Sequence, residues 1–446
     1  MTTITQIKKR SGEVVDFKTE RIANAIYRAA VSVGGRDKQL SEQLADDVVK
    51  YLETQIKAGV TPTVEEVQDA VEKILIENGH ARVAKAYILY RDERARLRSD
   101  RAATDQHPSE NIPWAKIWHV LDWAVAHDVH TIDSYNDRVN RGELDAIITE
   151  SEAAYHGDIE NASNLILERR KDLKLVIITG PSSSGKTTTT IKVSERLKRA
   201  GIKLVSLTVD HYFFDLEMHP KDEFGDYDFE TPYALDLPLV NDHINRLIAG
   251  EEVKIPFYDF KTGKRYLDHT PMRIGADEVI LIDSLHGLFP DMTRGVADEC
   301  KFKLYLEPLL QMKAPSGEYI RWTDIRLMRR MLRDASFRAY DPTRTLLHWH
   351  YVRNAEMRFI IPFITTTDAI VNSAMPYELS IYHPRLIELF AGWVEKYCND
   401  PLQKDAFERA NRTFNFLKWI TPLDDPGVVP SDSVIREFIG GSIYQY

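Results

Sequence analysis

Gly180-Pro-Ser-Ser-Ser-Gly185-Lys186-Thr187 is the stretch whose reading decides the fold. An apolar run, Leu173 to Thr179, precedes it and reads as a buried strand; Thr188 to Lys198 follows and reads as a helix. In strand–loop–helix context the pattern GxxxxGK[ST] is a phosphate-binding loop. Glycines let the backbone fold tightly enough for its N–H groups to converge on an anion. The start of the following helix adds partial positive charge at the same place. Gly180, Ser182, Ser183, Ser184, Gly185, Lys186, Thr187 and Thr188 form the expected binding set. Lys186 would reach the outer phosphates and the Thr187 hydroxyl would ligate Mg²⁺.

Outward from the loop, apolar and β-branched runs alternate with helical patterns, the mark of an α/β parallel sheet. Candidate strands are 173–179, 204–209, 278–283, 301–306 and 368–372, each apolar enough to be buried on both faces. Val253–Phe257 and Lys264–Tyr266 read as a hairpin around Thr262-Gly263. Asp210 is expected at the end of the second strand. Ligands of open α/β sheets bind at the carboxyl ends of strands, so a carboxylate there suits the orientation and deprotonation of an attacking hydroxyl. Asp283 ends an apolar strand and is expected to hold the Mg²⁺ shell with Thr187. Arg326, Arg330 and Arg333 share one face of a predicted helix, with Arg338 just beyond. Arginines so grouped need an anion, and guanidinium forks match phosphate oxygens; a lid closing over a polyphosphate would use them. His348 and His350 lie two apart on a helix, point different ways and are poor metal partners.

The chain has 446 residues, 43% hydrophobic and 28% charged, which suits a globular protein of two or three domains. Its formal net charge of −10 argues against a general nucleic-acid binder. Two cysteines, Cys300 and Cys398, make neither a disulfide framework nor a zinc site. No secretory signal or membrane-length apolar run is evident, so a cytoplasmic protein is expected. Residues 1–98 read as a mainly helical unit with a short basic hairpin (Ile4–Ile7, Val14–Phe17), helices capped at Thr19 and Ser41, and a Thr63–Glu66 capping box with Gly79 as a stop. A last helix of this unit runs from about His80 to Arg98. Residues 99–170 read as a linker and helical connector able to pack on either neighbour, 171–384 as the phosphate-loop domain and 385–446 as a helical extension that docks.

Several segments occur in the order found in the uridine kinase and phosphoribulokinase family. They are the phosphate loop, Val209-Asp210-His211-Tyr212, Tyr227-Asp228-Phe229-Glu230-Thr231-Pro232, Ile255-Pro256-Phe257-Tyr258-Asp259-Phe260, the Asp283 strand and Arg329-Arg330-Met331-Leu332-Arg333-Asp334. About a third of the chain resembles that family. The resemblance implies an ATP- and Mg²⁺-dependent kinase in which Lys186, Asp210, Arg333 and Arg338 are catalytic. Asp210, Glu230 and Arg330 would hold the sugar hydroxyls of a nucleoside-like acceptor, and Phe229, Tyr258 and Phe260 would wall its base. The sequence departs from the family where the base is read: Gly263 stands for a histidine, Tyr340 for an arginine and Phe213 for a tyrosine. Asp283-Ser284 replaces Glu-Gly, and Glu230 replaces an aspartate. An acceptor other than uridine or cytidine, or loose base choice, is therefore expected.

Ile7-Lys8-Lys9-Arg10-Ser11-Gly12, Phe17 to Ala30 and Val83 to Arg91 resemble an ATP-cone, the nucleotide-sensing module known from ribonucleotide reductases. That resemblance implies a regulatory ATP or dATP site at Lys9 and Arg10, aided by Arg21. The expected architecture is thus α/β, a P-loop NTPase parallel sheet flanked by helices, with an N-terminal mainly helical ATP-cone and a C-terminal helical extension, assembled as a homo-oligomer. Two rival readings stand beside it: a kinase for another small alcohol such as a sugar phosphate, and a non-catalytic nucleotide sensor.

Overall fold

The computed structural model describes residues 4–8, 14–32, 37–56, 60–85, 87–88, 112–219, 230–338, 340–400 and 403–445. They fall into two compact units, one before about residue 109 and one after it. The first holds an antiparallel pair, β1 (Gln6–Lys8) and β2 (Val14–Asp16), and helices α1 (Thr19–Ser32), α2 (Lys38–Gln55) and α3 (Val64–Glu77). Ile22, Ile26, Leu44, Val48, Val71 and Leu75 recur at helical spacing and bury together as its core. The capping box forms as expected: the Thr63 side chain accepts from the Glu66 N–H, and the Glu66 carboxylate accepts from the Thr63 N–H at 2.7 Å. Helix α2 corrects the sequence reading. Asp37, not Ser41, caps it by accepting from the Leu40 N–H at 2.9 Å, and Ser41 is buried inside the helix. Both residue types are good caps, so the sequence alone did not choose between them. Thr19 is the first helical residue of α1.

The second unit begins with α4 (Trp114–Ala126), α5 (Ile132–Asn140) and α6 (Leu144–Glu168). These helices share one core with the sheet, which settles which neighbour the connector packs on. The sheet has five parallel strands in the order β4-β7-β3-β8-β9: β3 (Leu175–Thr179), β4 (Lys203–Ser206), β7 (Glu278–Ser284), β8 (Lys301–Glu307) and β9 (Ala369–Asn372). All five expected strands are present. Every residue of β3, Leu-Val-Ile-Ile-Thr, is buried, as a central parallel strand covered on both faces requires. The register pairs Ile178 with Asp283 and Thr179 with both Ser284 and Tyr305, so β3 and β7 end together while β8 runs on to Glu307.

Helix α7 (Lys186–Arg199) follows β3, α8 (Leu237–Ile248) precedes the hairpin β5 (Val253–Asp259) and β6 (Lys264–Met272), and α9 (Trp322–Arg338) and α10 (Pro342–Phe359) follow β8. Helix α11 (Glu378–Tyr397) runs continuously across positions 384 and 385 and is followed by α12 (Lys404–Leu417) and the single turn α13 (Arg436–Ile439). The terminal region docks, as its apolar composition suggested: Val434, Ile435 and Phe438 are fully buried.

Candidate active site

The loop after β3 builds its own concavity. Ser183 has φ +61° and Gly185 φ +92°, so left-handed residues alternate with right-handed ones and aim successive N–H groups inward. At Gly185 a side chain is excluded twice over, by that φ and because a Cβ would sit 2.4 Å from Val434 Cγ2. Gly185 also caps α7, whose first-turn N–H groups face the loop. The Lys186 ammonium folds back onto the loop and donates to the Gly180 carbonyl at 2.9 Å and the Pro181 carbonyl at 3.3 Å. Burial pushes the Lys186 pKa down, while Asp283 and Glu437 pull it up. The hydroxyls of Ser183 and Ser184 are buried with no hydrogen-bond partner among the described residues. Orphaned donors, a lysine and a helix start fit a phosphate chain.

Asp283 lies on β7 beside the loop. Burial raises its pKa to about 6, against the pull of Lys186 and of the Thr190 hydroxyl, which donates to it at 3.2 Å. Thr187 is exposed at the start of α7. A carboxylate and a hydroxyl beside the loop are the oxygen donors that Mg²⁺ takes, so these two residues fit the ion.

Asp210 corrects the sequence reading in detail. Strand β4 stops at Ser206, and Asp210 lies beyond it in a single 3-10 turn, Val209–Tyr212. Leu207 still donates to the Leu281 carbonyl at 2.8 Å, after which the chain bends away from the sheet. Asp210 is exposed there, and its charge is felt at Asp283.

Arg330 joins two parts of the site. It donates to the Ser182 hydroxyl of the loop at 3.2 Å and to the Glu230 carboxylate at 3.0 Å. Arg333 donates to Asp334 at 2.9 Å. Arg326 overturns the reading of a single anion-binding face. It is 1% exposed and pairs with Glu307 at 2.8 Å and with Glu356 at 2.5 and 2.9 Å. Its anion comes from the fold, which spacing along one helix does not reveal. Helix α9 is accordingly a core helix rather than a detached lid: Ile325, Met328 and Met331 are fully buried.

Tyr258 is buried and Phe260 exposed, with ring centroids 5.0 Å apart, edge to face. Phe213 joins them at 5.6 and 6.3 Å, and Phe257 on the other face of β5 stacks with His269 at 5.1 Å. Sequence reasoning missed His211, whose Nδ1 accepts from the Tyr258 N–H at 3.3 Å. Gly263 has φ +68°, and a Cβ would meet Leu216 at 2.8 Å, so the hairpin turn has no room for a base-reading side chain. Phe229, Lys9, Arg10 and the Arg338 side chain lie outside the described residues. Arg21 is exposed on the first turn of α1. Among the described residues no cluster of three or more metal-ligating side chains occurs, and His350 Nδ1 turns to the Leu347 carbonyl at 2.9 Å.

Comparison with known proteins follows the same division. Residues 5–96 match the ATP cone domain, and residues 175–379 match the Phosphoribulokinase / Uridine kinase family. A uridine kinase of Deinococcus deserti is 27% identical over 195 residues, 44% of this chain and 84% of the relative. Uridine-cytidine kinase B of Dictyostelium discoideum is 26% identical over 198 residues, 44% of this chain and 73% of the relative. A vitamin B12-dependent ribonucleoside-diphosphate reductase of Thermoplasma acidophilum is 40% identical over 103 residues, 22% of this chain and 13% of the relative. The chain therefore joins a region that matches the ATP cone domain to a region that matches the Phosphoribulokinase / Uridine kinase family, which supports a kinase.

Proposed function

We propose that this protein transfers a phosphoryl group from ATP to the 5′-hydroxyl of a nucleoside, in the cytoplasm, under control of ATP or dATP bound near Lys9, Arg10 and Arg21. The observation that carries the reading is the Arg330 guanidinium, which spans the loop hydroxyl of Ser182 and the Glu230 carboxylate. One side chain thereby ties a group suited to sugar hydroxyls to the cradle for phosphate. Asp210 would accept the proton of the acceptor hydroxyl and align its oxygen. Lys186, Arg330, Arg333 and Arg338 would offset negative charge on the transferring group. Bound Mg²⁺ would add positive charge at the phosphate oxygens, held by Thr187 and Asp283. The aromatic pair Tyr258 and Phe260 favours a flat base over a sugar phosphate, and by the family resemblance Phe229 would add to that wall. With no side chain possible at Gly263, base choice is expected to be loose or to fall outside uridine and cytidine. We further take the chain to work as a homo-oligomer.

The test is a panel of nucleosides and sugar phosphates with product masses read directly, run beside Asp210→Asn. Nucleoside monophosphates are expected, with turnover in Asp210→Asn lowered by about 10²–10⁴-fold and ATP affinity retained. A strong preference for uridine over thymidine and purine nucleosides would remove the specificity argument. ATP consumption that ignores every acceptor, or full turnover in Asp210→Asn, would remove the mechanism.

A further inference from the structure

The phosphate loop already carries a carboxylate. Glu437, on α13, is buried, and its Oε2 accepts from the Thr188 N–H at 3.1 Å and from the Thr188 hydroxyl at 2.9 Å. Thr188 is the third residue of α7, so its N–H belongs to the first turn, where no intrahelical acceptor exists. Such donors are what the start of this helix offers to an anion. The Glu437 charge also acts on Lys186, which it favours as the ammonium.

The backbone around Glu437 is fixed from several sides. Phe438 lies under the Arg329 guanidinium at 4.9 Å, and Ser433 pairs with the Tyr377 hydroxyl at 3.1 Å. Arg436 donates to the carbonyls of Pro426 at 2.9 Å and Gly440 at 3.2 Å. Asp432 pairs with Lys192 at 2.8 Å, and Val434 rests on Gly185. The Glu437 side chain, by contrast, reaches across to Thr188 on its own torsions.

We propose that the Glu437 carboxylate is an internal anion that occupies the phosphate subsite at Thr188, and that a nucleoside polyphosphate must displace it to bind. The proposal rests on the reading of this loop as a nucleotide site. Two negative groups cannot share the same two donors, and close like charges repel. In the empty protein Glu437 gives Lys186 a counter-charge and caps α7. When a polyphosphate enters, its oxygens take over both donors and the carboxylate rotates out on its side-chain torsions, with no change in the buried segment that carries it. Ligands with few phosphate charges gain too little to expel it, so the residue favours polyphosphates over monophosphates.

The experiment is calorimetric titration of MgATP and MgADP, without acceptor, into the full-length wild type, Glu437→Gln, Glu437→Ala and Lys186→Ala, with melting of each ligand-free protein. Binding lost in Lys186→Ala is assigned to the loop rather than to the N-terminal domain. Lys186-dependent binding is expected to tighten about tenfold in both Glu437 variants, by the loss of a charge competing for charge-assisted donors, while their ligand-free melting temperatures fall. Lower melting with unchanged or weaker affinity makes Glu437 a plain helix cap and overturns the proposal, leaving the kinase reading in place. Absence of Lys186-dependent binding from every variant overturns both.

Discussion

His286, just beyond β7, is 4% exposed, and neither ring nitrogen has a hydrogen-bond partner among the described residues. Burial, and next the Lys186 ammonium, lower its pKa to about 3, against a weaker pull from the Glu230 backbone. The unfolded chain therefore binds a proton near pH 6.5 that the folded chain refuses until about pH 3. The contribution to stability is whole above pH 6.5 and is lost as pH falls through that window. Urea unfolding of the wild type and His286→Leu at several pH values between 7 and 4 should show the wild type losing about 1.4 kcal/mol per pH unit more than the variant. Parallel curves would mean that the ring reaches solvent. Neither His286 nor Glu437 stood out in the sequence, whereas Lys186 and Asp283 did. The latter two sit in local patterns whose spacing alone creates the chemistry. The former two acquire meaning from neighbours far along the chain, and in the case of Glu437 the partner is 249 residues away.

At the scale of elements, the sheet was legible because each parallel strand must be apolar on both faces, and such runs are visible without any knowledge of their partners. Helix α9 was legible as a helix and misread as to its role. Arg326, Arg330 and Arg333 on one face of it suggested a surface awaiting ligand, yet Arg326 turns inward to Glu307 and Glu356, and its neighbour Arg329 to Glu378. Burial alone would lower the Arg326 pKa, but Glu356 and Glu307 raise it. Removing that cation takes from the buried Glu307 the guanidinium it pairs with and leaves Glu356 to Arg353. Arg326→Met should cost about 3–5 kcal/mol of unfolding free energy, measured by urea denaturation. A loss below about 1 kcal/mol, the range of exposed pairs, would return Arg326 to the ligand-binding face.

The whole molecule divides near residue 109. Helices α4–α6 belong with the sheet: Asp158 accepts from the Asn372 N–H at 2.9 Å, and the Tyr155 hydroxyl meets that of Thr189 at 2.6 Å. Helical patterning marked this connector without showing which neighbour it packs on, so it could not be assigned from sequence. Deleting residues 1–98 spares them and should leave a folded kinase region. If the ATP cone regulates, the shortened protein keeps turnover and loses the response of the intact protein to added ATP or dATP, as rates across a nucleotide titration would show. An unchanged response would end the regulatory reading, since coupling between binding sites requires both sites.

Glu437 and Val434 bring one more consequence, for synthesis. Chains leave the ribosome from the N-terminus at about 5–20 residues per second, so Thr188 emerges well before the residue that caps it, 249 positions downstream. Over that interval the loop lacks the carboxylate and the Val434 side chain that lie against it, and a chain cut short of residue 434 would gain neither.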